Sequence, residues 1–314
     1  MEASSTTLSI LIAARPLVLV NPQAGGGRAR AYLPRLQELF RSFRISAEWK
    51  TTDSAEALQA AAREAISANH RVLFAVGGDG TFQALANAAY GTDVILGLLP
   101  SGGGNDFAAA AGIPNHPVKA AEALVRGRVR PVDLVQARTA DGRTRLYAGG
   151  GGVGLDVEAA RLATGNYRHL PGRIRYVAAG LRALVGFKPP LVRLEFPECD
   201  LGPAEARCLL TGVLNTPTYG AGLRLAPEAT IDDGLLHIVQ IADLGMWGVL
   251  RLLPRVIRAG EVRTTRIRRW QAKRVRLSTE TPCAFHGDGE VLGPTPVEIE
   301  VVPKAIQVLV PLKE

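Results

Sequence analysis

The chain places carboxylates at Asp79, Asp106, Asp233, Asp288 and Glu290, each beside glycine-rich or turn sequence. Glycines also gather in three loops: Asn21 to Gly27, Gly77-Gly-Asp-Gly-Thr81 and Ser101-Gly-Gly-Gly-Asn-Asp106. A residue without a Cβ lets backbone N–H groups close on phosphate oxygens, and a helix that starts after the loop adds its positive end. Carboxylates meet the two other needs of phosphoryl transfer: ligands for a metal on the phosphate oxygens, and a base beside the attacking hydroxyl. A lone glycine loop or a lone Asp-Gly pair reads as a tight turn. Three such loops in register read as a phosphate site. Asp141-Gly142 joins two strands, lies in no motif and is read as a turn. No Gly-x-x-x-x-Gly-Lys-Ser/Thr is present, which excludes a P-loop. The run Gly149 to Gly154 superficially fits a dinucleotide fingerprint. It lies in a β-rich half with no βαβ unit after it, and is rejected.

Each of the three loops follows an apolar run of buried-strand type, at 16–20, 71–76 and 94–99. Helical spacing recurs at 31–40, at 54–68 with Asp53 or Ser54 as N-cap, from the second loop to Ala89, and from Phe107 onward. Strands alternating with helices predict an α/β fold with a doubly wound parallel sheet, whose strand ends line a ligand crevice. After Arg130 the pattern becomes short strands at 132–137, 144–149, 191–196, 208–215, 235–241, 275–278, 282–286, 297–302 and 306–310. Helical segments intrude near 156–186 and 244–259. This predicts a β-rich, sandwich-like second domain. The expected boundaries are 15–130 and 131–303, with Pro303 breaking the last run and 304–314 returning to the first domain.

Composition bounds the rest. Of 314 residues 47% are hydrophobic and only 5% aromatic, so the cores must rely on Ala, Leu and Val. The net charge of +8 suits nucleotide phosphates or an acidic membrane surface. Nucleic acid is set aside because no recognition motif accompanies the charge. Three scattered cysteines make neither a disulfide framework nor a zinc site. The apolar stretch 8–14 follows Glu2 rather than a basic cluster, and no apolar run approaches the ~20 residues of a membrane span. The expectation is a cytoplasmic protein, peripheral at most.

Taken in order, Asn21-Pro22, Gly77 to Thr81, Pro100 to Phe107, Gly220-Ala-Gly222 with Ala226-Pro227, Asp233-Gly-Leu235 and Asp288-Gly-Glu290 resemble the diacylglycerol kinase catalytic domain family. That family includes sphingosine kinases, ceramide kinases and other bacterial lipid kinases. The resemblance runs from about Pro16 to Pro311. It implies a nucleotide-binding α/β domain, a β-sandwich domain and an active site in the cleft between them. It further implies that Asn21 and Gly25, with Thr51 or Thr52, touch ATP. Gly77, Gly78, Asp79, Gly80 and Thr81 would hold its phosphates, with Gly102, Gly103, Asn105 and Asp106 beside them. Asp79 would help organise a catalytic Mg²⁺. Asp233, with the carbonyls of Thr230 and Leu235, looks like the family's second, structural Mg²⁺ site. Asp288 or Glu290 would be the base; Asp288 is put first, with Glu290 on the same side of an extended strand as its rival. The sequence departs from the family at Gly103 (usually Thr), at Gln83-Ala84 (usually Asn-Glu) and at His286-Gly287 (usually apolar).

The expected function is an ATP-dependent lipid kinase of phospholipid metabolism, with a lipid alcohol, diacylglycerol by default, as acceptor. An NAD-kinase-like small-molecule kinase and a non-catalytic nucleotide-binding regulator are the alternatives, and homodimerisation is left open. Between Arg251 and Arg276 stand ten basic residues and one acid, Glu261. Leu252, Leu253, Val256 and Ile257 interleave with Arg251, Arg255 and Arg258 at helical spacing. That pattern suits an anionic bilayer or a solvated face equally.

Overall fold

The computed structural model describes residues 2–165, 172–198, 202–220, 222–245, 247–251 and 264–312. The chain divides into two compact units, 1–133 with 304–314, and 134–303.

In the first unit the elements follow as α1 (Glu2–Ala14), β1 (Leu17–Val20), α2 (Arg28–Ser42), β2 (Glu48–Thr51), α3 (Ala55–Ser67), β3 (Val72–Gly77), α4 (Asp79–Ala89), β4 (Ile95–Pro100), α5 (Asp106–Ala110) and α6 (Pro117–Val125). The central strands are apolar on both faces, as a parallel sheet covered by helices requires, whereas edge strand β2 is largely exposed. All four residues of β1 and all six of β3 are buried. The sheet order is β2-β1-β3-β4, all parallel. Helix α3 starts where Ser54 accepts the Ala57 N–H, a serine N-cap. Helix α1 was not expected: its spacing is weakly amphipathic, and its packing beside α6 and the Thr7 hydroxyl donating to the Gly127 carbonyl (2.8 Å) help to fix it.

The second unit holds β5 (Arg128–Thr139) from Leu134 on, then β6 (Thr144–Tyr147), β7 (Gly150–Gly154), α7 (Leu155–Thr164), α8 (Gly172–Leu184), β8 (Leu191–Glu195), β9 (Ala204–Leu214), β10 (Leu236–Ala242), β11 (Ile267–Ala272), β12 (Arg274–Thr279), β13 (Ala284–Gly287), β14 (Glu290–Pro294) and the start of β15 (Val297–Val310). One antiparallel sheet runs β14-β13-β7-β9-β10-β11. A second joins β9, β8, β12 and β15, so β9 serves both sheets. Their inward residues, among them Val135, Tyr147, Val153, Val192, Leu194, Val213, Ile238, Leu277, Phe285 and Ile299, form one aliphatic-rich core. This is the sandwich-like arrangement expected from the short alternating strands.

The last run does not break at Pro303. Residues 297–310 form one strand that pairs with β12 through its first residues and, in parallel, with β4 through Gln307 and Val308. Lys304 takes a left-handed φ of 52°, and its N–H donates to Asp133 Oδ1 at 2.7 Å. A kink absorbed by that buried carboxylate (1% exposed) replaces the expected stop. Of the helical expectation at 244–259, residues 245 and 247–251 are helical, and the remainder lies mostly outside the described residues.

Removing the carboxylate at this kink strands the Lys304 N–H, a loss of about 1–3 kcal/mol. Asp133→Ala should therefore lower the denaturation midpoint in urea while leaving the slope unchanged. A midpoint equal to wild type would dismiss this anchor.

Candidate active site

Parallel pairing brings the C-terminal ends of β1, β3 and β4 to one edge of the sheet, and with them the three glycine loops. The loops touch. A Cβ on Gly25 would lie 2.1 Å from the Ser101 carbonyl oxygen, and one on Gly102 would lie 2.6 Å from Gly78 Cα. Backbone meets backbone at both places, so no side chain can be admitted. Gly25, Gly26 and Gly27 all hold φ between 63° and 90°, open to glycine at little cost. The Asn21 amide donates to Thr81 Oγ1 (3.2 Å), tying the first loop to the second, and Thr52 N–H reaches the Val20 carbonyl at 2.9 Å. Thr51, at the end of β2, is exposed.

Helix α4 begins at Asp79 with no side chain capping it, leaving its first N–H groups facing a loop edge made of glycine. Asp79 itself turns to the third loop. Its Oδ2 accepts the Asn105 N–H (2.8 Å) and its Oδ1 the Phe107 N–H (3.1 Å). Burial, then the charge of Asp106, push its pKa from 3.8 up to about 6, against the lowering pull of the N–H donors of residues 105–107. Asn105 sits in a left-handed conformation (φ 60°) and bonds Gly102 through both ends of its amide. It also donates to Asn115 Oδ1 at 2.6 Å. Asn115, His116 and Tyr32, whose ring meets His116 edge-on, carry no motif, and spacing alone did not single them out. Buried Ser101 Oγ has no hydrogen-bond partner among the described residues. Gly80 and Gly103 lie on the same edge, partly exposed. A glycine cradle at an uncapped helix start, with a buried hydroxyl still unpaired, fits a polyphosphate. Asp79, whose ionisation the nearby charge of Asp106 makes costlier, fits with Asp106 a cation arriving with it.

In the second unit, Asp288 and Gly289 are not part of an extended strand. They form the two-residue turn between β13 and β14, with φ of 50° and 89° and Gly287 paired to Glu290, as a primed hairpin turn requires. Glu290 therefore does not share a strand face with Asp288. The Asp288 carboxylate reaches back to accept N–H groups from Ala148 (2.7 Å), Gly149 (2.9 Å) and Gly150 (3.1 Å). Glu290, next on the chain, is exposed. The glycine run 149–154 also gains a reason. Strand β7 is squeezed between β13 and β9, and a Cβ on Gly151 or Gly152 would lie 2.6 Å or 2.4 Å from a neighbouring carbonyl oxygen. His286 is buried against Tyr219, with Nε2 and the hydroxyl 3.1 Å apart. Gly287 is needed because a Cβ there would strike the Tyr147 ring at 2.8 Å. Ala84 is buried within α4.

The turn at 230–235 is closed by its own side chain. Asp233 accepts the N–H groups of Thr230 (3.0 Å) and Leu235 (2.9 Å), and His237 Nε2 lies 2.9 Å from its Oδ2. It is the nitrogen of Leu235, not its carbonyl, that meets the carboxylate. These contacts do not fit a cation bound directly to Asp233. Among the described residues no three His, Cys, Asp or Glu side chains cluster as metal ligands.

The family model described as "Diacylglycerol kinase catalytic domain" matches residues 15–137, and "YegS C-terminal NAD kinase beta sandwich-like domain" matches 151–310. A curated relative from Mycobacterium tuberculosis, named diacylglycerol kinase, is 31% identical over 79% of both chains. The chain belongs to the diacylglycerol kinase family. Other members of the family are similar to it over comparable or greater lengths. The diacylglycerol kinase of Bacillus subtilis is 26% identical over 95% of this chain and 96% of its own. A probable lipid kinase YegS-like protein of Pseudomonas aeruginosa is 34% identical over 71% and 70%. The crystal structure of a putative diacylglycerol kinase from Bacillus anthracis superposes with a TM-score of 0.76 at 22% identity, covering 95% and 97%, and shares the fold.

Because Asp79 holds a proton more tightly folded than unfolded, its ionisation costs stability as pH rises from about 4 to about 6. Between pH 7 and pH 5 the ligand-free wild type should gain thermal stability relative to Asp79→Asn; a relative loss would contradict the assigned cause. Gly102→Ala should separate the second and third loops at a cost of about 1–3 kcal/mol. Amide exchange would read this as faster exchange around residues 78–82 and 105–108, with the sandwich unit unchanged.

Proposed function

We propose that this chain is an ATP-dependent lipid kinase that transfers the γ-phosphoryl group to a lipid hydroxyl, with diacylglycerol as its default acceptor. The observation that carries the reading is the convergence of three glycine loops on the uncapped start of α4, in a member of this family. Close packing of Gly25 on Ser101 and of Gly78 on Gly102 brings the loops, with Gly77, Gly80 and Gly103, to one edge where backbone N–H groups would meet phosphate oxygens, while Asn21 and Thr81 hold the loops in register. Asp79 positions the third loop by accepting its N–H groups and, with Asp106, is the candidate to hold Mg²⁺. Bound there with the nucleotide, the cation would neutralise charge on the phosphate oxygens.

The base assignment moves from Asp288 to Glu290. An oxygen that already accepts backbone N–H groups at 2.7–3.1 Å is poorly placed to take a substrate proton, and both Asp288 oxygens are so engaged. Asp288 is then the pin that fixes the hairpin turn, and exposed Glu290 is carried at a set position beside it. The Glu290 carboxylate accepts the proton of the acceptor hydroxyl as that oxygen bonds to the γ-phosphorus and ADP departs. Positioned proton transfer of this kind contributes ~10²–10⁴ in rate.

The test is a phosphorylation assay with diacylglycerol, sphingosine, ceramide and NAD⁺ offered separately, run alongside two substitutions. Diacylglycerol should be phosphorylated. Glu290→Gln should lower kcat by ~10²–10⁴ with ATP affinity retained. Asp288→Asn should act chiefly on thermal stability, since the amide cannot accept three N–H groups as well as the carboxylate. Near-normal kcat in Glu290→Gln with loss in Asp288→Asn would exchange the roles. Phosphorylation of NAD⁺ alone would replace the lipid reading.

A further inference from the structure

Trp247 is 84% exposed, the most exposed large apolar side chain among the described residues. Leu250, three residues on in the same helical segment, is also exposed, and Arg251 follows at the i+4 position. Residues three and four apart lie on one helical face. An indole so exposed, on a face with a leucine and an arginine, buries little surface against the described residues of its own unit. The segment leaves the sandwich at the end of β10, where the Ala242 N–H donates to the Arg266 carbonyl at 2.9 Å. The connection therefore starts and ends side by side, and the exposed side chains of Arg266 and Arg268 stand at the root of the segment that presents Trp247. Across 251–276 the sequence carries ten basic residues, Arg251, Arg266 and Arg268 among them, against one acid.

We propose that this corner of the sandwich unit docks on an anionic phospholipid bilayer, with Trp247 as the interfacial anchor and Arg251, Arg266 and Arg268 on lipid phosphates. Tryptophan settles at headgroup depth, where its ring is apolar and its N–H is wet. Leu250 adds apolar area, and basic side chains are drawn to the negative leaflet. A second copy of the chain fits less well. One indole and one leucine fall short of the ~800 Å² per partner of a stable interface, and two such basic corners repel. The inference rests on the lipid-kinase reading only in that a lipid acceptor lies in such a surface; binding is measured without turnover.

The experiment uses the full chain with vesicles of phosphatidylcholine alone and of equimolar phosphatidylcholine and phosphatidylglycerol. Wild type should sediment with the anionic vesicles. The binding should weaken as salt rises from ~0.1 M to ~1 M, where the screening length falls from about 10 Å to about 3 Å. Trp247→Ala should bind about tenfold more weakly, the scale of one large apolar side chain. The double charge reversal Arg251→Glu with Arg266→Glu should bind more weakly still and lose its salt dependence. Trp49 already packs on Phe40 and Trp270 on Phe196, so a blue shift of emission on vesicle addition should vanish in Trp247→Ala. Phosphorylation of a dispersed short-chain diacylglycerol by Trp247→Ala should match wild type. Equal vesicle binding by wild type and Trp247→Ala, equal binding to both compositions, or a wild-type dimer that Trp247→Ala dissolves would overturn the proposal. Vesicle binding as expected with every lipid acceptor left untouched would sink the kinase reading and leave the docking intact.

Discussion

Contact between the backbones of Gly78 and Gly102 governs the first unit. Two strand-end loops can come this close only where neither carries a Cβ, and the approach is what lets Asp79, the first residue of α4, reach the N–H groups of residues 105–107. One carboxylate thus starts one helix and caps the next. Its raised pKa is the price of that placement, since it must stay ionised among buried neighbours and beside Asp106. Asn105 completes the lock by spanning Gly102 and Asn115. The missing threonine at position 103 and the missing glutamate at 84 fall outside this set of contacts, so the loops hold their geometry without them.

The second unit repeats the device with different parts. Asp288 lies in a turn that needs positive φ, and its side chain collects three N–H donors from the strand entry at 148–150. Asp233 does the same at the 230–235 turn and adds His237. In each case an acidic residue in a functional-looking motif is engaged by backbone N–H donors. Carboxylates so engaged position other residues, and the base proposed here is accordingly Glu290 rather than Asp288.

The two glycine-rich tracts have different causes that composition cannot separate. At 25–27, 77–78 and 102 glycine is demanded by close loop approach or positive φ beside an uncapped helix. At 149–152 it is demanded by neighbouring strands pressing on β7. Only the second has antiparallel neighbours on both sides, which removes the dinucleotide fingerprint as a functional reading.

Much was legible in the order of residues. Apolar runs ending in glycine gave the parallel sheet and its three loops, because a buried strand must be apolar on both faces and a phosphate loop must be bare. Short alternating strands gave the sandwich. The succession from Asn21-Pro22 to Asp288-Gly-Glu290 carried the family. Tertiary structure alone decided where each carboxylate points. Whether Asp288 lies on a strand or in a turn depends on the partner of β13, and whether its oxygens are free depends on backbone 140 residues away. Strand β15 continues through Pro303 because Asp133, distant in sequence, accepts the N–H that the kink exposes. Helix α1 and the Asn115, His116 and Tyr32 neighbours of the third loop were invisible because they carry no motif: their contacts are made through the fold, and local spacing records only what neighbours along the chain can feel.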